Sequence, residues 1–167
     1  MLDFDKLFKE SKGKPILYKG STISRLDEFP ISNEDTLIIS IEKTNSSCRQ
    51  GVTIDVTGHF EIDGQVYKKG KGLRMLFWED TYNEPLKVFT KKGSVGVYNI
   101  WETITYHPFK NELGETVNKE YKAVHYWFNG AGMIVEEIEN GRRYHCNDFR
   151  PSENFDAIVF TVQRIVK

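Results

Sequence analysis

The sequence predicts an all-β protein: a single antiparallel β-sandwich, jelly-roll-like, spanning residues 1–167 with a short helix within residues 1–13. Three observations predict it. Short apolar runs recur along the chain with turn residues between them. Strand-like and helix-like patterns nowhere alternate, which removes a parallel, Rossmann-like sheet. Asp63-Gly64 and Asn140-Gly141 are two-residue hairpin signals, because the tight I′ turn needs positive φ at both central positions.

Phe4, Leu7 and Phe8 stand at i, i+3 and i+4 between Asp3 and Gly13, so a short helix lays one face on the body of the protein. Pro15 ends it. Ile16 to Lys19 is a short strand, and Leu37 to Ile41 is apolar enough for burial on both faces. Val52, Ile54 and Val56 alternate with Thr53, Asp55 and Thr57, the period of a half-buried strand. Further strands are expected over 73–78, 86–90, 95–106 and 121–128. Asn129-Gly130-Ala131-Gly132 reads as a bulge or wide turn. Pairing outward from Asn140-Gly141 sets Glu139 opposite Arg142, Ile138 opposite Arg143 and Glu137 opposite Tyr144. In a last strand over 157–166, Ile158, Phe160 and Val162 line one face. The long polar connection from Tyr106 to Glu120 reads as a loop, and loops of that length often carry function.

A length of 167 residues suits one domain with its own core. A net charge of −1 removes a generally basic nucleic-acid binder. Lys68, Lys69 and Lys71, like Lys91 and Lys92, read as solvated hairpin tips. The first ten residues lack a basic leader and an apolar run, and no window reaches the roughly 18–20 apolar residues of a membrane helix. A cytoplasmic protein without membrane contact follows as the expectation. Cys48 and Cys146 are then reduced, buried thiols, and a bridge between them would need an oxidising compartment.

Catalytic signatures are missing. Cys146 adjoins His145, but neighbours on a strand point to opposite faces. The chain has no nucleophile elbow and no phosphate-cradling glycine loop. His59, His107, His125 and His145 lack the paired spacing of zinc hydrolases. A non-enzymatic binding module is the expectation, with a facing carboxylate pair for glycosidic cleavage as the remaining enzymatic route.

Two features could form a site. The first is the loop 147–156, where Asn147, Asp148, Glu153, Asn154 and Asp156 offer the oxygen ligands calcium takes. Asn and Asp equally serve turns, and Pro151 marks one. The second is aromatic. Trp78, Trp101 and Trp127 stand at or near strand ends, with Glu79, Asp80 and Glu102 following the first two. Aromatic faces stack on sugar rings while carboxylates accept ring hydroxyls; the competing assignment for each tryptophan is the core.

Asn147-Asp148, a proline, Asn154 and the alternating strand from Ile158 to Gln163 resemble the C-terminal end of calcium-dependent galactose-binding bacterial lectins. The resemblance covers about twenty residues. It implies a calcium ion held by Asp148, Asn154 and Asp156, with Ser152 or Glu153 in place of the family's Thr, and a sugar bound through the ion. A lectin-like module for a carbohydrate ligand is therefore the first expectation. The second is a cytoplasmic protein that masks a protein surface, as immunity or inhibitor proteins do. Open edge strands also leave room for a homodimer through a sheet edge.

Overall fold

The computed structural model describes residues 3–150 and 152–167, with side chains of 69–72 left out. The turn assigned to Pro151 and the placement of the Lys69 and Lys71 side chains therefore lie outside the described residues. The expected all-β fold with a short N-terminal helix is what the chain forms. Helix α1 (Asp5–Glu10) is six residues long. Phe4, just before it, and Phe8 are buried against Ile23 and Phe155. Leu7 is not; so short a helix turns only a narrow face inward, and Leu7 stays 40% exposed.

Strands β1 (Ile16–Tyr18) and β2 (Ser21–Ile23) form a small hairpin. The remaining strands make one antiparallel sheet. They are β3 (Asp27–Pro30), β4 (Thr36–Thr44), β5 (Arg49–Ile62), β6 (Gln65–Trp78), β7 (Leu86–Phe89), β8 (Ser94–Lys110), β9 (Thr116–His125), β10 (Gly132–Ile138), β11 (Gly141–Asn147) and β12 (Ile158–Ile165). Their order is β10-β11-β12-β4-β7-β5-β8-β3, with β6 added to β5 and β9 to β8.

Strand β5 is where this sheet turns. Its first half pairs with β8 over 49–55 and its second half with β7 over 59–61, while β6 follows its other edge. The changeover falls at Gly58, where the ladder shifts register and φ is +137°. A strand that changes partners at a bulge is how sheets turn corners. The sheet curls into a half-barrel around Leu37, Val52, Ile54, Val97, Tyr144, Phe160 and Val162. Its ends meet: Ser24 and Met133 exchange backbone hydrogen bonds, and Asp27 on β3 accepts from the Tyr144 hydroxyl at 2.5 Å and the Arg142 guanidinium at 2.9 Å, both on β11. Burial, then the neighbouring Asp27 carboxylate, pushes the Tyr144 phenol well above its ordinary value.

Several expectations change. Strand β4 alternates, with Leu37 and Ile39 buried and Ile38 between them half-buried, so it is not buried on both faces. Around Thr53, β5 is buried on both, because the Trp78 ring lies across Gly51 on its outer side; β8 over 95–101 and β12 over 158–162 are buried on both as well. The β10–β11 register lies two residues from the expected one, so the faces are kept: Glu137 faces Arg142 and Val135 faces Tyr144. The two-residue turn is Glu139-Asn140, with Asn140 at φ +61°. Gly141 is a strand residue, needed because a Cβ there would run into the Val162 carbonyl of β12. Asn129-Gly130 forms a turn, and the Asn129 carbonyl accepts from Phe4 N–H and Arg25.

The largest correction concerns 106–120. It is the outer half of a long hairpin: β8 and β9 pair from Trp101↔His125 to Lys110↔Thr116, and the Asn111 side chain caps the turn by accepting from Leu113 and Glu115. Beyond Glu102, where pairing with β5 stops, this ribbon leaves the body and both its faces are exposed.

Candidate functional site

In the 147–156 loop the proposed calcium ligands are held apart by separate partners. Asp148, at the end of β11, is buried and surrounded by donors. It accepts from Ser46 Oγ at 2.6 Å, from Arg150 Nη2 at 2.8 Å and backbone N–H at 3.0 Å, and from Gln50 Nε2 at 3.3 Å. Burial alone would raise its carboxyl; the hydrogen bonds from Arg150 and Ser46 outweigh that and hold it below the ordinary carboxylate value. Glu153 accepts from Tyr18 and Lys19, and Asp156 from Asn45, with Lys43 3.8 Å away. Asn147 is buried, donating Nδ2 to the Ser152 carbonyl while its Oδ1 has no partner. Asn154 is tied to Ser152 through its backbone N–H. Among the described residues no three acidic, His or Cys side chains converge as a metal-holding group. The residues do not fit a calcium ion as placed, since Arg150 already supplies the cation that Asp148 needs.

The tryptophans part company. Trp101 is 1% exposed, packed against Phe149 and His125, and belongs to the core. Trp78 is half-buried, and the Arg49 guanidinium sits 4.3 Å above its ring. Arg49 also pairs with Asp80 at 2.7 Å and lies 3.7 Å from Glu102. Trp78, Asp80 and Glu102 are thus brought together, around an arginine sequence reasoning did not single out. Glu79 turns back to accept the Gln50 backbone N–H at 2.6 Å. Trp127 does not join them: 40% exposed with φ +52°, its ring packs 5.1 Å from those of Tyr98 and Tyr126, beside a 440 Å³ groove with Asp5, Phe8, Lys9 and Arg25. Replacing each by alanine separates core from surface. Trp101→Ala should cost about 3–5 kcal/mol in urea unfolding, and Trp127→Ala under about 1 kcal/mol.

A third arrangement was not anticipated. Register places Trp78 and Ile100 on either side of Gly51, and Leu76 and Tyr98 on either side of Thr53, all on the outer face of the sheet. The same face runs out along the ribbon through Glu102, Ile104 and Tyr106 of β8, with Val124, Lys122 and Glu120 opposite them on β9. Tyr126 joins it, its ring 5.3 Å from that of Tyr98. Leu76, Ile104, Tyr106, Val124 and Tyr126 are all exposed, Tyr106 at 62%. Ile100 and Tyr98 themselves are buried, so the exposed apolar and aromatic side chains form two groups, Leu76 and Tyr126 over the sheet and Ile104, Tyr106 and Val124 on the ribbon, interleaved with Glu102, Lys122 and Glu120. The signal that could have found the ribbon group was the alternation of Ile104 and Tyr106 with Thr103 and Thr105.

Comparison with known proteins assigns no family to this geometry: no family model, no curated protein and no solved structure matches the chain. Cys48 and Cys146 are both free, Cys146 fully buried with its thiol pushed up by burial, Cys48 only half-buried. No described helix is long and apolar enough to cross a membrane.

Proposed function

We propose that this chain is a partner-binding protein that covers a protein surface with the outer face of its β8–β9 ribbon and the adjoining sheet. The observation that carries the reading is the exposed apolar and aromatic set Ile104, Tyr106 and Val124 on the ribbon, with Leu76 and Tyr126 on the adjoining sheet. Exposed apolar and aromatic side chains interleaved with charges of both signs are the anatomy of a protein interface. The ring of Trp78 is already covered by Arg49 and Trp101 is buried, which leaves a sugar fewer platforms than the sequence offered.

A photo-crosslinking residue in place of Tyr106, in the chain expressed in its own cells, identifies the partner, whose affinity for the purified chain is then measured. Ile104→Asp with Val124→Asp should weaken that affinity roughly tenfold or more at an unchanged melting temperature. Undiminished affinity overturns the reading. A carbohydrate reading survives at the groove beside Trp127, where an exposed indole lies near Asp5 and Arg25. Binding on a glycan panel, abolished by Trp127→Ala, would favour it instead.

A further inference from the structure

The ribbon has an edge as well as a face. Strand β9 pairs with β8 and with no other strand among the described residues, so one side of its ten-residue backbone is unpaired. A lone two-stranded ribbon is marginal in water, and three or four strands are the usual minimum. The two outer edges of this ribbon are not equivalent. That of β8 beyond Glu102 is interrupted by Pro108, which has no N–H to offer, and proline is a common guard on open edges. Strand β9 contains no proline.

We propose that two copies of the chain join through the free edges of β9, antiparallel, with Tyr121 of each copy on the two-fold axis. Charge selects both the occupant and the register. An antiparallel pair of identical strands related by a two-fold places directly opposite residues on the same face, so one residue must sit on the axis opposite itself. With Lys119, Glu120 or Lys122 there, like charges meet. With Tyr121 on the axis, Glu120 of each copy lies opposite Lys122 of the other, twice over, and Lys119 lies opposite Ala123. Asn118 then faces Val124, and Val117 faces His125. Opposite charges across a ladder favour pairing and like charges oppose it. The result is a continuous sheet β8-β9-β9-β8, four strands wide, with a body at each end. His107, which packs against Tyr121 at 5.2 Å, flanks the axis in both copies.

The test is the oligomeric state of the full chain by sedimentation equilibrium across a wide concentration range. The wild type should be a dimer. Glu120→Lys alone and Lys122→Glu alone should each weaken dimerisation roughly tenfold or more, and the two together should restore it. In a Cys48→Ser background, Tyr121→Cys should form an intermolecular disulfide on mild oxidation, since only a residue on the axis meets its own copy at bridging distance. A monomeric wild type, single variants that dimerise normally, a double variant that stays monomeric, or no disulfide would each overturn the proposal. Those readouts lie on the β9 edge and are independent of the partner affinity read at Ile104 and Val124 on the face.

Discussion

Gly58→Ala should destabilise the protein by about 3–5 kcal/mol, while Gly64→Ala should cost only about 1–2 kcal/mol. Both glycines have positive φ, +137° at Gly58 and +79° at Gly64. They differ in what surrounds them. A Cβ at Gly64 meets nothing within 4 Å, whereas at Gly58 it would enter the Phe89 carbonyl and lie 3.3 Å from Thr90 Cα. Neither neighbour can give way, because both are backbone of β7 and its exit. Thr90 is further fixed by donating its hydroxyl to the Thr57 carbonyl at 2.7 Å. The corner of the half-barrel needs hydrogen at that position. Urea unfolding of the two variants measures the difference, and equal losses would mean that backbone conformation, not crowding at the corner, decides the cost.

Asp148→Ala should cost about 2–4 kcal/mol, less than a fully buried pair because the Arg150 side chain remains 39% exposed. The loss comes from what the carboxylate satisfies: Ser46, Gln50, and both the backbone and side chain of Arg150. The same carboxylate makes stability depend on pH. Its folded value is lowered, and so is that of Asp35, where burial is outweighed by backbone N–H groups of Ser32 and Lys167 and by Arg164. A carboxyl depressed on folding contributes its full stabilisation above the unfolded value, about 3.9, and loses it as pH falls toward the folded value. Stability should therefore fall below about pH 4, and less steeply in Asp148→Asn. Calcium provides the cross-check. The ion would have to displace the Arg150 guanidinium, so melting in excess calcium and in EDTA should coincide. A calcium-dependent rise that vanishes in Asp148→Ala would restore the lectin-like site.

The sequence was legible where a strand packs in the core, as β12 does with both faces buried over 158–162. Ile158, Phe160 and Val162 read directly as core, and all are buried. The ribbon defeated the same reasoning because neither of its faces is buried. Ile104 and Tyr106 alternate with Thr103 and Thr105, but beyond them His107 and Phe109 stand on the face opposite Tyr106, so no contrast between faces marks the outer half of the strand. At Asn140-Gly141 the glycine was visible but its purpose was not, since the space it preserves belongs to β12. The candidate site failed in a related way. Carboxylates and tryptophans announce chemistry by type, yet the arginines that occupy them do not. Arg49 reaches Asp80 from 31 positions away, beyond any local pattern. Arg150 stands two residues after Asp148, and that spacing was the available hint.

The ladder between β12 and β4 shapes how the chain can be made. Strand β4 is translated early, yet its long partner is β12, paired from Thr36↔Ile165 to Thr44↔Ile158. On the ribosome β4 must wait, its backbone groups open, while some hundred residues follow. Contacts so distant along the chain slow closure, and the wait exposes an apolar strand edge to neighbouring nascent chains. A release from translation before β12 emerges would leave the half-barrel unshut, with Leu37 and Ile39 facing solvent or a chaperone.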